Sequence, residues 1–319
     1  MSATTAPIII IGMHRSGTTM LTRLLQQLGL HIGWVLQENS EALFFVERNE
    51  KLMNVCGGTW EYPEPVENLL RHEGMRRQAG AQLLRDLRSL RFVSYLGPRN
   101  WSRCGSLDKL DFPWGWKDPR NTYLLPLWLD LFPEAKIIHV YRHPMDVARS
   151  LRMREQRSVE RAVARLSGEA SKNPAQQVRN NGGSEETGLL YLYRRAAAVR
   201  ERFVTLRRYD KLAVPVSLSL ASGLALWAAY VEKCFDHLGR ITNQTHTVKY
   251  EDILIEPETH LNSLKEFCGL TSDRVSVKEL CVNLRPERRY AFKADKEASR
   301  VFAEFRDNEW VKKLGYDNV

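Results

Sequence analysis

Four consecutive isoleucines, Ile8 to Ile11, sit between Pro7 and Gly12. An unbroken β-branched run offers no polar face to water, so it predicts a central strand of a parallel sheet, covered on both sides. Residues 12–19 then read Gly-Met-His-Arg-Ser-Gly-Thr-Thr, a small polar loop. Met20, Leu21, Leu24, Leu25 and Leu28 follow at helical spacing, and Gly29 supplies a C-terminal stop. A strand, a glycine-containing loop and a helix in that order open a mononucleotide-binding α/β unit.

The remaining pattern extends that unit. Helices are predicted over residues 41–56 and 66–90, with a second sheet element near 114–117. Residues 123–131 read as a helix, 132–134 as a turn and 136–141 as a strand, after which Pro144 takes the favoured first position of another helix. Residues 245–250 read as a further strand and 261–267 as a helix ending at Gly269. Ser, Asn, Gln, Gly and Glu dominate 167–188, which lacks apolar periodicity and predicts a long loop. It falls in an expected helical and loop insertion at 152–211, where Arg152, Arg154, Arg157, Arg161, Arg165, Arg194, Arg195, Arg200 and Arg202 read as a solvated helical face. No repeat or interdomain linker appears. The expected fold class is α/β: one P-loop-type domain over residues 1–319, with a central parallel sheet flanked by helices.

Residues 212–231 carry no charge and match the length of a membrane span. Pro215, Ser217, Ser219, Ser222 and Gly223 dilute their hydrophobicity, so a turn and then a buried helix over 222–237 are expected instead. The net charge of +9 favours anionic ligands, but nucleotides, acidic glycans, nucleic acid and anionic membranes satisfy it equally. Cys56, Cys104, Cys234, Cys268 and Cys281 stand singly, without the spacing of a zinc site or a disulfide framework. Their usage fits a reducing compartment. The first seven residues lack the basic start of a signal peptide, and a cytoplasmic protein is expected.

The loop keeps the Walker A spacing except at one position, where Thr18 replaces the lysine of a nucleotide triphosphatase. Loss of the lysine that bridges β- and γ-phosphates argues against ordinary ATP or GTP hydrolysis. The anion cradle survives, because successive backbone N–H groups and the positive end of the next helix still suit an anion. Arg15 adds forked donors that match phosphate or sulfate oxygens, and Ser16, Thr18 and Thr19 add hydroxyls.

His14, Arg15, Ser16, Gly17, Thr18 and Thr19 resemble the 5′-phosphosulfate loop of sulfotransferases that use 3′-phosphoadenosine 5′-phosphosulfate (PAPS), closest to the bacterial carbohydrate and tyrosylprotein types. Residues 136–150 resemble that family's strand–loop–helix for the 3′-phosphate, with Arg142 and Ser150 as the matching ligands. Trp116 through Arg120, reading Trp-Lys-Asp-Pro-Arg, resembles its lysine-containing segment. Residues 248–270, opening Val-Lys-Tyr-Glu-Asp, are similar to its late strand and helix, which implies that Tyr250 packs near the nucleotide.

The resemblance implies transfer of a sulfuryl group from PAPS to an acceptor hydroxyl, with no metal. It assigns Lys117 and Arg15 to the transferring group and a glutamate shortly after the first helix to the general base. Glu38, Glu41 and Glu47 compete for that role; Glu38, 23 residues after Arg15, fits best and Glu41 second. His14 reads as a loop donor or a packed side chain, and His31 is a weaker base candidate. Arg285, Arg288, Arg289 and Lys293 either close over the nucleotide or form an exposed basic helix end.

Two other classes remain. A P-loop nucleoside or small-molecule kinase is opposed by Thr18 and by the Arg142/Ser150 pair. A non-catalytic nucleotide- or anion-binding protein is the other; no aromatic platform repeats among the basic residues, so nucleic acid is not an expected partner. A glycan, glycolipid or small natural product is the expected acceptor, with peripheral membrane contact left open. Trp34, Trp60, Trp101, Trp114 and Trp116 are either core residues or the walls of a sugar-stacking cleft.

Overall fold

The computed structural model describes residues 5–166, 215–271 and 275–319. Strands β1 (Ile8–Ile11), β2 (Gly115–Lys117), β3 (Lys136–Tyr141) and β4 (Thr245–Lys249) form an all-parallel sheet in the order β2-β1-β3-β4. β1 is buried along its whole length. Ile9 and Ile11 join one core with Phe45, Trp116, Trp128 and Trp227, while Ile8 and Ile10 join another with Leu21, Leu25, Ile138 and Leu264. A strand alternates its side chains between faces, so the isoleucine run feeds two layers at once. β2 comes so close to β1 that a Cβ on Gly115 would lie 2.1 Å from the Ile8 carbonyl oxygen.

The helices follow in chain order: α1 (Thr18–Gln27), α2 (Leu43–Val55), α3 (Val66–Arg71), α4 (Glu73–Leu87), α5 (Val93–Cys104), α6 (Asn121–Leu131) and α7 (Pro144–Leu166). Further along the described chain come α8 (Leu220–Leu238), α9 (Tyr250–Ile255) and α10 (Pro257–Phe267). The helix expected over 66–90 is broken at His72, whose ring accepts from the Met75 N–H and caps α4. α7 begins at Pro144, where a missing N–H costs nothing. It runs to Leu166, so the first part of the expected insertion continues a sheet-flanking helix. The remainder, with Arg194, Arg195, Arg200 and Arg202, lies outside the described residues.

The end of the uncharged stretch forms α8, with Leu224, Trp227, Tyr230 and Val231 buried and Gly223 set against Ala148 of α7. Among the described residues no helix is long and apolar enough to cross a membrane. Trp114 and Trp116 belong to the core, Trp116 lying parallel to Phe45 at 4.0 Å, so neither walls a sugar cleft. Trp60 is also buried, whereas Trp34 and Trp101 are partly exposed. The five cysteines are unpaired thiols.

Register positions the site. Ile10 pairs with Lys117, Ile11 with His139, and Tyr141 with Lys249. Parallel strands end on one edge of the sheet, so the loop after β1, Lys117, Arg142 and Tyr250 all emerge at the same C-terminal edge. Open α/β sheets bind ligands there.

Candidate active site

Backbone geometry shapes the loop after β1. Gly12 has φ 136°, and a Cβ there would sit 2.2 Å from the Val140 carbonyl oxygen. Its N–H donates to Thr122 Oγ1 at 3.2 Å. Arg15 takes a left-handed φ of 69°, uncommon for a residue with a side chain. Gly17 precedes α1 at φ 93°, no side chain caps the helix, and its first turn carries no acid. The N–H groups and positive end of α1 are therefore uncompensated by protein, an arrangement that suits phosphate or sulfate. Ser16 Oγ is buried in the same loop without a partner. A Cβ on Gly17 would lie 2.1 Å from the Tyr250 ring, so that ring closes directly over the loop.

Lys117 forms one flank. Its Nζ donates to Glu41 Oε1 at 2.8 Å and to the Asn39 carbonyl at 2.6 Å, and reaches Thr19 Oγ1 at 3.4 Å. The two charged side chains are 1% and 7% exposed. Burial pushes the Lys117 pKa down, opposed by the charge and hydrogen bond of Glu41. A tight turn makes this pairing: Ser40 has φ 57°, and Gln37 N–H donates to the Glu41 carbonyl at 2.9 Å. That turn sends Glu41 inward and leaves Glu38 exposed. Among the described residues Glu38 is engaged through its backbone carbonyl, which accepts from Arg23 at 2.9 Å. Glu47 meets Arg48 at 3.3 Å on α2. Of the three candidate bases, the fold brings Glu41 to Lys117 and the loop.

The opposite flank gathers Arg15, Arg142, Ser150 and Tyr250. Arg15 Nε donates to Ser150 Oγ at 2.8 Å. Arg142 lies over the Tyr250 ring at 4.5 Å, and its Nη2 donates to Asp146 Oδ2 at 3.1 Å and the Arg288 carbonyl at 2.9 Å. Arg142 Nε is buried without a partner. Partial burial and the charges of Arg154, Arg142, Arg157 and Arg288 lower the Arg15 pKa. His14 packs edge-on to Trp60 at 4.6 Å. Burial, reinforced by the charges of Arg154, Arg120, Lys117 and Arg15, holds its pKa well below 6.5.

Sequence reasoning missed the residues that brace these flanks. Asp146 Oδ1 accepts from the Phe292 N–H at 2.9 Å while its other oxygen holds Arg142, so it ties the basic 285–293 stretch to the loop after β3. The signal was available, since Asp146 lies four residues after Arg142, close enough for the two to meet across the start of α7. Asp118 receives Arg120 at 3.1 Å and Asn49 at 2.9 Å, and Glu50 takes the other end of Arg120 at 2.6 Å. These acids belong to the strand end that carries Lys117 and to α2, and no spacing joins them. Among the described residues no group of His, Cys, Asp and Glu has the arrangement of a metal site.

The sulfotransferase family profile matches residues 7–180, more than half of the chain. No curated protein matches the sequence. Among solved structures, a sulfotransferase domain from the curacin biosynthetic pathway is 16% identical, covers 90% of this chain and 81% of its own, and has a TM-score of 0.43. A sulfotransferase from Alicyclobacillus acidocaldarius is 17% identical, with 91% and 90% covered and a TM-score of 0.39. One from Mycobacterium tuberculosis H37Rv is 14% identical, with 88% and 72% covered and a TM-score of 0.41.

Proposed function

The chain belongs to the sulfotransferase family, and we propose that it moves a sulfuryl group from PAPS to an acceptor hydroxyl, with Glu41 as general base. The observation that carries this reading is the buried Lys117–Glu41 pair, 2.8 Å apart and linked to the loop through Thr19. We further take residues 1–319 as one sulfotransferase domain that acts in the cytoplasm on a carbohydrate, glycolipid or small natural product.

The residues fit the donor. The loop N–H groups, Ser16 and Arg15 would hold its 5′-phosphosulfate end. Arg142, Ser150 and the Tyr250 ring would hold its 3′-phosphorylated nucleoside, and the partnerless Ser16 Oγ and Arg142 Nε are donors that such a ligand satisfies. When bound, PAPS supplies a sulfuryl group activated by its anhydride link to phosphate.

Glu41 accepts the proton of the acceptor hydroxyl as its oxygen attacks in line. Lys117 holds the Glu41 carboxylate in place. With Arg15 and the loop N–H groups it also offsets the negative charge that grows opposite the attacking oxygen. Burial strengthens each of these charge interactions. Thr18, at 3% exposure, occupies the position where a kinase needs its lysine.

The test is a transfer assay with PAPS radiolabelled in the sulfuryl group. Pools of carbohydrates, glycolipids and small natural products serve as acceptors, and label should move into one of them. Magnesium-dependent phosphoryl transfer from ATP, with no sulfuryl transfer to any pool, assigns the chain to the kinases instead.

A further inference from the structure

Helix α7 leaves the nucleotide flank and carries a row of arginines with it. Ser150, Arg154, Arg157 and Arg161 are spaced four, three and four residues apart. That spacing stacks them on one helix face over about 16 Å of axial rise. Together with Arg15 and Met153 they line a pocket of about 180 Å³, and none of its described lining residues is a carboxylate. Arg154 is held by Glu155 at 2.7 Å and lies over the Trp60 ring at 4.6 Å. Arg157 and Arg161 are exposed, and no described carboxylate pairs with either.

The near end of this row lies beside the reacting centre. His14 packs on Trp60, and it feels the charges of both Arg154 and Lys117. Arg15 joins the loop to Ser150 at the head of the pocket. The anionic ends of a 3′-phosphorylated donor are already matched by the loop, Arg15, Lys117, Arg142 and Ser150. Arg157 and Arg161 are left over, with Arg154, already held by Glu155, between them and the loop. Like charges one turn apart destabilise a helix unless an anion sits among them, and guanidinium forks match carboxylate, phosphate and sulfate oxygens.

We propose that this face of α7 is a second anion site, which holds a negatively charged group of the acceptor whose hydroxyl meets Glu41. The proposal rests on the sulfotransferase reading and narrows it: the acceptor carries its own carboxylate, phosphate or sulfate. A row of this length suits an extended acidic saccharide better than a single small anion.

Calorimetry on the full chain tests it in two stages. The wild type is first titrated with 3′-phosphoadenosine 5′-phosphate; absence of binding overturns the PAPS reading itself, whatever follows. The nucleotide-loaded protein is then titrated with sucrose octasulfate. The Arg157→Gln/Arg161→Gln variant should bind octasulfate roughly tenfold more weakly while its nucleotide affinity stays within about twofold. A Lys312→Gln/Lys313→Gln control, altered on the helix Glu309–Lys313, should match the wild type. Unchanged octasulfate affinity in the arginine variant, an equal loss in the control, or a parallel loss of nucleotide affinity overturns the second site.

An acceptor arm separates a substrate site from a bare anion patch. Sulfuryl transfer to uronate-bearing oligosaccharides is compared with transfer to the same pool after reduction of its carboxyl groups. Transfer should favour the acidic pool roughly tenfold in the wild type, and the arginine variant should lose that preference. Equal transfer to both pools by the wild type overturns the proposal.

Discussion

Lys117 Nζ stands 2.8 Å from Glu41 Oε1, and both side chains are shut away from solvent at the C-terminal edge of the sheet. The pair joins a strand end to the turn before α2, so a carboxylate and a cation meet beside the loop after β1. Glu41→Gln keeps the shape and the hydrogen-bond acceptor but removes the base. Its kcat should fall about 100- to 10,000-fold, with nucleotide affinity nearly unchanged. Glu38→Gln should alter kcat less than about threefold, as expected of an exposed side chain. Steady-state kinetics on both variants decide it, and the reverse pattern assigns the base to Glu38.

Catalytic and structural roles of that pair separate in a second experiment. Lys117→Ala leaves a carboxylate buried without its cation and should destabilise the protein by about 3–5 kcal/mol. Lys117→Met combined with Glu41→Leu should recover most of that stability and none of the activity. Urea unfolding measures the first quantity and turnover the second. Activity in the double variant would remove both residues from the chemistry.

Asp146 is predicted to act through Arg142. Its two oxygens hold Arg142 and the Phe292 N–H, at 3.1 and 2.9 Å. Asp146→Ala should therefore weaken binding of 3′-phosphoadenosine 5′-phosphate roughly tenfold, while adenosine 5′-monophosphate changes little. Equal losses for both ligands would mean a general structural role.

Acid should destabilise the fold through buried histidines. Burial drops the pKa of His139 to about 3 and, with help from the charges of Arg142, Lys249 and Lys293, that of His143 to about 3. Between those values and the unfolded value near 6.5, the unfolded chain binds more protons, so stability rises with pH across that window. At pH 5 each histidine should cost about 2 kcal/mol relative to neutral pH. His139→Leu should flatten the fall in the urea midpoint between pH 7 and 5. An unchanged slope contradicts the assignment.

Much of the fold was legible because its signals are local. The isoleucine run, the proline that opens α7 and the β-branched 136–141 stretch each state their structure within a few residues. The break at His72 was hidden, since histidine is a poor cue for a helix N-terminus. The site divided in the same way. Arg15, Lys117, Arg142, Ser150 and Tyr250 sit at strand ends or in the first turns of helices, where parallel topology alone brings them together. Which glutamate meets Lys117 depended instead on the left-handed Ser40, at φ 57°, which nothing in a serine announces. The arrangement of Arg120, Asp118 and Glu50 joins the segment after β2 to α2, so only folding reveals it.

The loop and Arg142 are proposed to read a 3′-phosphorylated nucleotide together. The most direct test is calorimetric titration of the wild-type chain with 3′-phosphoadenosine 5′-phosphate, adenosine 5′-monophosphate and ATP, each with and without magnesium. The 3′-phosphorylated nucleotide should bind roughly 100-fold more tightly than adenosine 5′-monophosphate, with no need for magnesium. Tighter, magnesium-dependent binding of ATP, with no preference for the 3′-phosphate, would contradict it.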